Sequence, residues 1–275
     1  FRCPACGHAK GWELAGKSLT RECAGCGRQT SVTAGTVMHG SKLPLTVWFW
    51  AAYLMATHSN GIAALQLQAQ LGLGSYKSAW LLCAKLRRAM VAPGRSPLAG
   101  LVEVDETAIP LRRKDEPPAG GQGRSPQGKM LVAGAVEVHD GGPGRVRLGA
   151  IQDASAESLH AFVAANIEAG ATARTDGWSG YPGAPGVTHE PHVIGPMAAH
   201  VVLPWTHRVF ANLKRWALGV YHGLRRQHLQ SYLDEFAFRF NRRRTRHAAF
   251  RSLLGIAVAR TPTTYNRLIK PEATA

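Results

Sequence analysis

The acids at strand-like positions have the clearest potential for metal-ion chemistry in this sequence. The run "VEVDETAI" alternates, so that the side chains of Glu103, Asp105 and Thr107 share one face of a strand, and Glu106 lies on the other. Asp176 directly follows a second strand-like run, in "ATARTDGWSGY". An aspartate before glycine is usually only a turn residue. Two carboxylates that approach each other, however, are costly unless a cation lies between them, and Mg²⁺ or Mn²⁺ is the expected cation for oxygen ligands.

A third ligand is expected from the helical pattern at 203–219, which contains no carboxylate. His207 and Lys214 are seven residues apart, close to two helical turns, so both side chains project from one face of that helix. The pair would present a metal ligand beside a contact for phosphate. We predict His207 as the third ligand and Lys214 as the phosphate contact, with Asn212 as the reserve ligand.

The cysteines predict a second, structural metal site. Two Cys-x-x-Cys pairs occur 16 residues apart, each with glycine after its second cysteine; the four are Cys3, Cys6, Cys23 and Cys26. Glycine tolerates the backbone that lets two thiolates converge on one ion, and two such pairs complete a closed tetrahedral Zn²⁺ site. Two disulfides are the alternative, which a basic chain with no visible signal peptide disfavours. We predict a zinc ribbon over residues 1–42.

The elements that follow the ribbon predict DNA binding. Residues 43–92 contain three helical patterns: Leu45 to Thr57, a second from about Asn60 with Leu65 among its apolar positions, and a third that Ser75 would cap. A helix, a short glycine turn and a basic helix form the outline of a helix-turn-helix. Residues 93–100, rich in Pro and Gly, are expected to be a linker.

The rest of the chain predicts an α/β fold. Three strands, a helix at 155–170 with Ser155 as its cap, and the strand before Asp176 follow one another. This is the order of a ribonuclease H-like core, in which the first and fourth strands are neighbours, so Asp105 and Asp176 could meet. We assign residues 101–245 to this domain, with a flexible loop at 110–129, and 246–275 to a basic C-terminal helix and tail.

The charge of the chain predicts a polyanionic partner. The 275 residues carry a formal net charge of +16, and from Trp205 onward 14 Lys and Arg face only 3 Asp and Glu. An excess of this size indicates phosphate contacts. The most apolar stretch, 43–57, is too short to span a bilayer. We predict DNA contacts at the following basic residues: Lys77, Lys85, Arg87, Arg88, Arg215, Arg242, Arg243 and Arg244.

Together these motifs resemble bacterial insertion-sequence transposases of the ISXO2-like group. The resemblance covers nearly the whole chain and rests on "CPACGH…CAGCG", "VEVDETAI", "TDGWSGY", "LPWTHRVFANLKRW" and, most specifically, "YLDEFAFRFNRR". It implies an N-terminal zinc ribbon and a DDE-type catalytic domain of the ribonuclease H-like fold. The third catalytic position of the group varies among Glu, Asn and His, with Lys seven residues later. Carried over, the set is Asp105, Asp176, His207 and Lys214, where a histidine replaces the more usual glutamate.

The resemblance also implies the reaction. Two Mg²⁺ or Mn²⁺ ions about 3.5–4 Å apart would be bridged by Asp105, with Asp176 on one ion and His207 on the other. Water would cut the transposon end, and the freed 3′-hydroxyl would then attack target DNA. Because imidazole suits Mn²⁺ better than Mg²⁺, we expect a preference shifted toward Mn²⁺.

The expected partners are the terminal inverted repeats and target DNA, with no membrane. Multimers that bridge two transposon ends are general among DNA transposases, so a homo-oligomer is expected, in the bacterial cytoplasm and associated with the nucleoid. The chain begins at Phe1 rather than Met, and further residues are expected before it. Two alternatives stay open. One is a catalytically inactive DNA-binding protein, and the other is a metal-dependent nuclease that cuts without joining.

Overall fold

The computed structural model describes residues 1–111, 127–193, 199–221 and 224–269. Its strands are β1 Gly11–Leu14, β2 Lys17–Cys23, β3 Gln29–Ser31, β4 Leu101–Pro110, β5 Lys129–His139, β6 Gly142–Ile151, β7 Thr172–Thr175 and β8 Thr188–Pro191. Its helices are α1 Leu45–Thr57, α2 Ala64–Gln70, α3 Tyr76–Arg88, α4 Ala156–Asn166, α5 Ala199–Val202, α6 Pro204–Tyr221, α7 Leu229–Asn241, α8 Arg246–Ala259 and α9 Tyr265–Ile269, with a short 3₁₀ helix at Arg226–His228. Within these ranges, the structure contains no helix with the length and apolar character needed to cross a bilayer. Most of the predicted flexible loop at 110–129 lies outside the described residues.

The N-terminal segment forms a three-stranded antiparallel sheet in the order β1-β2-β3. The two cysteine pairs lie in turns at the ends of these strands, as the sequence predicts for a ribbon. The chain that follows β3 leaves the sheet, and Val37 and Met38 are buried in the adjoining helical core. The ribbon is therefore anchored to the rest of the molecule through this short segment.

The helices α1, α2 and α3 share one core with the C-terminal helix α8. Helix α1 has the predicted bounds, whereas α2 begins at Ala64 rather than near Asn60. Leu65, predicted as an apolar packing position, is 67% exposed. The prediction for Leu65 is wrong because the later start of α2 leaves Ala64 and Leu67 as its buried residues. Ser75 precedes α3, but its side chain makes no capping hydrogen bond.

The catalytic-domain prediction is confirmed at the level of fold by a five-stranded sheet in the order β6-β5-β4-β7-β8. Strands β4, β5 and β6 are antiparallel, and β4, β7 and β8 are parallel, which is the ribonuclease H-like arrangement. Ser155 caps α4 by accepting a hydrogen bond from the backbone N–H of Ser158. The sequence did not predict the edge strand β8. The neighbouring positions of the first and fourth strands were predicted.

The sheet separates two cores. Helix α4 packs on one face, where Val102 and Val104 are buried, and α6 and α7 pack on the other, where Ile109 is buried. The alternation predicted for β4 is therefore confirmed, and Glu103 and Asp105 project toward α6. The predicted linker at 93–100 is packed against the domain at Leu98, which is fully buried. Leu98 forms an isolated parallel β-bridge with Ile167, and its backbone N–H donates to the backbone oxygen of Asn166.

Candidate functional site

The register of the sheet brings Asp105 level with Asp176. Strands β4 and β7 pair in parallel through Glu103 and Arg174. Asp105 lies two residues beyond Glu103, and Asp176, which directly follows β7, lies two residues beyond Arg174, so the two aspartates occupy equivalent positions on neighbouring chain segments. Asp105 is buried, and its Oδ1 accepts a hydrogen bond from the backbone N–H of Glu106 at 2.8 Å. The Asp176 Oδ1 accepts from the backbone N–H of Trp178 at 3.0 Å, the turn-forming bond expected of an aspartate before glycine.

Helix α6 brings an imidazole to the same place. His207 lies in its first turns, and the His207 Nε2 is 3.5 Å from the Asp105 Oδ2. Lys214, two turns later, is half-buried. Burial lowers the pKa of Lys214, and the negative charge of Asp105 opposes that shift. Asp105 is therefore the common neighbour of His207 and Lys214, as their spacing predicted. Asn212, the reserve ligand, is exposed on another face of the helix, where it lines a separate cavity.

A buried glutamate fixes the start of α6. The Glu103 Oε2 accepts hydrogen bonds from the backbone N–H groups of Trp205 and Thr206 at 2.9 and 2.8 Å, and from the Thr206 hydroxyl at 3.2 Å. Burial raises the pKa of Glu103, and these hydrogen bonds oppose the shift. A carboxylate at a helix N-terminus satisfies N–H groups that have no partner within the helix. Glu103 thus orients the helix that carries His207.

A glycine allows α6 to lie close to the sheet. Gly134 on β5 pairs with Asp105 on β4. A Cβ atom at Gly134 would be 2.5 Å from the Phe210 ring, well inside van der Waals contact. The missing side chain therefore admits the aromatic ring of α6 beside the candidate site. This contribution was not predicted, because a glycine within a strand indicates close approach without identifying the neighbour.

A tyrosine supports the acids from the opposite face of the sheet. The buried Tyr181 hydroxyl donates to the Glu106 Oε2 at 2.6 Å. Burial raises the pKa of Tyr181 well above its usual value, and the charges of Glu106, Asp105 and Asp176 add to the shift. Trp178 donates from Nε1 to the backbone oxygen of Ala154 at 2.9 Å. These two hydrogen bonds hold the segment that directly follows Asp176.

The convergence of the three candidate ligands is looser than that of the cysteines. Among the described residues, only the four cysteines bring three or more potential ligand atoms within 4.8 Å of one another. Asp105, Asp176 and His207 are brought to one end of the sheet without meeting that distance. A pair of ions about 3.5–4 Å apart requires ligands spread over a wider span than a single ion does. Two carboxylates and one imidazole are ligand types that Mg²⁺ or Mn²⁺ accepts, so the chemistry of the set suits divalent ions.

The four-cysteine cluster has the ligand set and spacing of a structural zinc site. The Cys3 and Cys26 sulfurs are 3.7 Å apart, and those of Cys6 and Cys23 are 3.5 Å apart. A tetrahedron with Zn–S bonds of about 2.3 Å has S–S edges of about 3.8 Å. Gly7 and Gly27 follow the two pairs with φ of 73° and 68°. Their N–H groups donate to the backbone oxygens of Cys3 and Cys23, respectively. The predicted role of glycine in both turns is confirmed.

Hydrogen bonds prepare one of these thiols to ionise. Backbone N–H groups of Cys6 and Ala5 lower the pKa of Cys3 to about 6. The pKa of Cys6 is instead raised to about 12, because the neighbouring thiols of Cys26 and Cys23 outweigh a hydrogen bond from His8 that would lower it. Four thiolates at these distances repel one another unless a cation is bound. The cluster is therefore built for a metal ion. Cys83, in contrast, is a buried thiol whose pKa burial raises to about 11.

Two of the predicted DNA contacts are wrong. Arg87 is 2% exposed, and its Nε donates to the Glu235 Oε2 at 2.7 Å. Lys85 is also buried, with its amine 5.9 Å from the centre of the Trp48 ring. Both were predicted from the basic character of α3, but the last turn of this helix packs against α7 and α1. The side chains therefore stabilise the protein interior and do not face DNA.

The other predicted contacts differ in their surroundings. Lys77, Arg215 and Arg244 are exposed, and Arg88 is partly exposed. The Arg242 guanidinium lies 3.9 Å from the centre of the Phe238 ring. Arg243 donates to the backbone oxygens of Pro143, Gly144 and Phe240, so it also ties α7 to the β5–β6 hairpin. DNA contact by these six residues stays a prediction.

Comparison with known protein families gives one match to this chain. The model of the ISXO2-like transposase domain matches residues 97–241, from the strand entry before β4 to the end of α7. The match includes Asp105, Asp176, His207 and Lys214 and covers more than half of the 275 residues. No curated protein matches the chain.

Proposed function

Since this chain belongs to the ISXO2-like transposase family, we propose that it cleaves transposon ends and joins the freed 3′-hydroxyl to target DNA. The observation that supports the proposal is the position of the His207 imidazole on α6 beside Asp105 on β4, the strand that pairs in parallel with the one preceding Asp176. The His207 Nε2 lies 3.5 Å from the Asp105 Oδ2. Asp176 is level with Asp105 in the register of β4 and β7.

Each side chain has a distinct part in the proposed reaction. Asp105, Asp176 and His207 would hold Mg²⁺ or Mn²⁺, which when bound lowers the pKa of an attacking water and stabilises the leaving oxygen. Lys214 would hold a phosphate beside the cut through charge-assisted hydrogen bonds. Glu103 keeps α6, and with it His207, in position by capping the helix. The same acids would serve both cleavage and joining, because the 3′-hydroxyl takes the place of water in the second step.

The geometry favours His207 over Asn212 as the third ligand. His207 lies beside Asp105, and Lys214 projects from the same face of α6, where the charge of Asp105 acts on its amine. Asn212 is exposed and belongs to the wall of another cavity. An Asn212 ligand would require α6 to rotate, which would break the contacts that Glu103 makes with its first turn.

The test is cleavage and joining of transposon-end DNA by the full chain. Asp105→Asn and Asp176→Asn should each lower the cleavage rate by at least about 100-fold, since even indirect partners of a metal site contribute 10- to 100-fold. DNA affinity should stay within a few-fold of the wild-type value. Asp140→Asn, an exposed acid in the β5–β6 turn, is the matched control and should leave the rate unchanged. Cleavage that survives both substitutions would overturn the proposal.

Two further outcomes separate the alternative functions. A decayed, DNA-binding protein would bind terminal repeats without cutting them in Mn²⁺ or Mg²⁺. A stand-alone nuclease would cut but would yield no joined strand-transfer product. Bridging of two transposon ends also requires more than one subunit, so we propose a dimer or larger assembly on DNA. Sedimentation of the protein with and without paired end fragments measures that assembly directly.

A further inference from the structure

A cavity of about 570 Å³ lies beside the candidate active site but opens from a different face of α6. Its walls come from the turn between α1 and α2, from α6 and α7, and from the start of α8. Arg215, Arg239, Arg243 and Arg246 line it together with Trp216 and Phe240. A volume of this size falls in the range of sites for small organic ligands, about 300–1,000 Å³.

The charge of the cavity is unbalanced. Its described lining includes four arginines and no acidic residue. Arg239 donates to the backbone oxygens of His58 and Ser59, and Arg243 donates to those of the β5–β6 hairpin. Arg215 and Arg246 are exposed and have no hydrogen bond or ion pair within the described part of the chain. Arg239 also lies 3.8 Å from the Glu235 carboxylate, which offsets part of its charge. The remaining like charges repel one another, so the cavity favours an anionic ligand that contacts the two uncommitted guanidinium groups.

One wall of the cavity is aromatic. Trp216, Phe236 and Phe240 line it, and the Phe236 and Phe240 rings are stacked with centroids 6.0 Å apart. Arg243 lies over the Phe240 ring at 4.1 Å. Flat aromatic faces beside arginine are the surfaces on which nucleic-acid bases stack. An inorganic anion would use the charge of this cavity but not this wall.

Polar groups are also available for a ligand. Asn60 and Asn212 line the cavity and offer amide groups that can pair with the edge of a base. The Nδ1 of His58, in the same wall, is buried with no hydrogen-bond partner among the described residues. Buried polar atoms in proteins are nearly always paired, by protein, water or ligand. The cavity thus combines cationic, aromatic and amide groups along one wall-lined cleft.

We propose that this cavity binds one unstacked nucleotide of a DNA strand, with its base against Trp216 and the Arg243 guanidinium that covers Phe240, and its phosphate on Arg215 and Arg246. The inference rests on the proposed function only in taking DNA as the ligand. Helix α6 carries the candidate catalytic pair on one face and Arg215 and Trp216 on another. His207 and Trp216 are nine residues apart, or about 14 Å along the helix axis, so one strand can engage both sites.

Binding of a fluorescently labelled oligothymidylate of about ten nucleotides tests the proposal, a length within the range of single-strand sites. The full chain carries Asp105→Asn in every sample, so that no cleavage occurs, and no chelator is added because it would strip the zinc ribbon. The comparison strand has the same backbone with every base removed. We expect the wild-type cavity to prefer the strand with bases by about 5- to 150-fold, the range that one stacked base contributes.

Two cavity variants separate the base from the phosphate. Trp216→Leu should remove most of the preference for bases while leaving affinity for the abasic strand nearly unchanged. Arg215→Gln, on an exposed side chain that folding does not need, should weaken both strands and lower the slope of log K against log salt by about 0.7. The matched control is Arg251→Gln, an exposed arginine of α8 outside the cavity, which should keep the preference for bases.

The outcomes are decisive in both directions. Equal affinity for the two strands, or a base preference that persists in Trp216→Leu, overturns the nucleotide site. Inorganic phosphate that displaces the strand at low millimolar concentration, with no preference for bases, identifies the cavity as a simple anion site and also overturns the inference. Neither result affects the proposed function, which depends on cleavage by the chain with Asp105 intact.

Discussion

At the scale of single residues, Asp105 is the point on which the candidate site converges. It is buried, it lies 3.5 Å from the His207 imidazole, and its charge acts on both Lys214 and Tyr181. A buried carboxylate is costly unless cations surround it. Here the imidazole lies beside the carboxylate and the Lys214 amine is within reach of its charge, while Asp176 adds a second negative charge at the equivalent position after β7. This imbalance of charge is what a divalent ion would complete.

The first prediction concerns the identity of the third ligand. His207→Ala should lower the cleavage rate in Mn²⁺ by at least about 100-fold, because it removes a ligand and not merely a supporting contact. Asn212→Ala, on another face of the same helix, should change the rate by only a few-fold. Single-turnover cleavage of transposon-end DNA measures both variants. The reverse ranking would transfer the ligand role to Asn212.

The histidine at position 207 also predicts which divalent ion supports faster cleavage. Imidazole suits Mn²⁺ better than Mg²⁺, whereas carboxylate suits both. The wild-type chain should therefore cleave faster in Mn²⁺, and His207→Glu should raise the Mg²⁺ rate relative to the Mn²⁺ rate. A titration of each ion with the wild-type and His207→Glu proteins gives the two ratios. Identical wild-type rates in both ions across the titration would argue against imidazole coordination.

The sequence predicted the proximity of these groups better than their supporting contacts. The spacing of His207 and Lys214 predicted that they share one helical face, and the resemblance supplied Asp105 as their neighbour. The roles of Arg87 and Glu103 could not be predicted in this way. Their partners, Glu235 and Thr206, lie 148 and 103 residues away, and no local pattern reports such distances. A basic helix indicates charge without showing which of its sides is buried.

At the scale of elements, the docking of α6 on the sheet determines whether the site exists. Its N-terminus is held by Glu103, and its middle approaches the sheet where Gly134 leaves room for Phe210. Glu103 lies two positions before Asp105 on β4, and Gly134 pairs with Asp105 from β5. The strand that supplies the first acid therefore also positions the helix that supplies the third ligand.

The next prediction follows from this cap. Glu103→Ala removes three hydrogen bonds from buried groups and should lower the free energy of unfolding by about 1.5–3 kcal/mol, the range for hydrogen bonds to a charged group. Cleavage should fall as well, since His207 loses its fixed position. Urea denaturation gives the stability, and Glu157→Ala, an exposed acid in the first turn of α4, is the control. Equal losses in the two variants would mean that the cap has no special role.

A second element-scale contact joins α3 to α7. Arg87 and Glu235 form an ion pair at 2.7 Å with exposures of 2% and 0%. Burial alone would lower the pKa of Arg87, but the carboxylate of Glu235 and the hydroxyls of Tyr232 and Tyr221 raise it well above its usual value. Arg239, four residues later on the same helix, lies farther from Glu235, at 3.8 Å. The main partner of Glu235 is therefore Arg87, at the end of α3.

This buried pair yields a stability prediction. Glu235→Ala should lower the free energy of unfolding by about 3–5 kcal/mol, because it leaves a buried cation without its partner. Adding Arg87→Met should recover most of that loss, since the double variant buries no charge. The exposed pair of Glu13 and Arg21 provides the control, and Glu13→Ala should cost no more than about 1 kcal/mol. A double variant as unstable as Glu235→Ala would show that the ion pair is not the source of the effect.

Elements with strong local signals were predicted well from the sequence. Helix α1 has the predicted bounds, and the order of strands was sufficient to place β4 beside β7. The start of α2 and the edge strand β8 were missed, because both depend on tertiary packing. Leu65 illustrates this limit. An apolar residue near the start of a helix can face either solvent or the core, and moving the start by a few residues changes which of the two it faces.

At the scale of the whole molecule, three hydrophobic cores are joined and the ribbon lies outside them. One core unites α1, α2 and α3 with α8, and two lie on the faces of the five-stranded sheet. The ribbon's link to them is the segment after β3, where the Val37 N–H donates to the backbone oxygen of Ala257 at 3.1 Å. A segment this small cannot bury enough apolar surface to fold without a metal or disulfides. Its stability should therefore depend on zinc, while that of the cores should not.

The last prediction separates the ribbon from the rest of the molecule. Cys6→Ser should reduce bound zinc from about one ion per chain to near zero, because a closed tetrahedral site loses one of its four ligands. The main thermal transition should shift by no more than about 2–4 °C, the change expected for 1 kcal/mol in a protein of this size. Hydrogen exchange should speed up in β1–β3 and stay slow in β4 and β5. Cys83→Ser replaces a cysteine outside the cluster and should retain zinc and slow exchange in the ribbon. Collapse of the main transition in Cys6→Ser alone would mean that the ribbon supports the helical core through Val37 and Met38, and that the molecule folds as one unit.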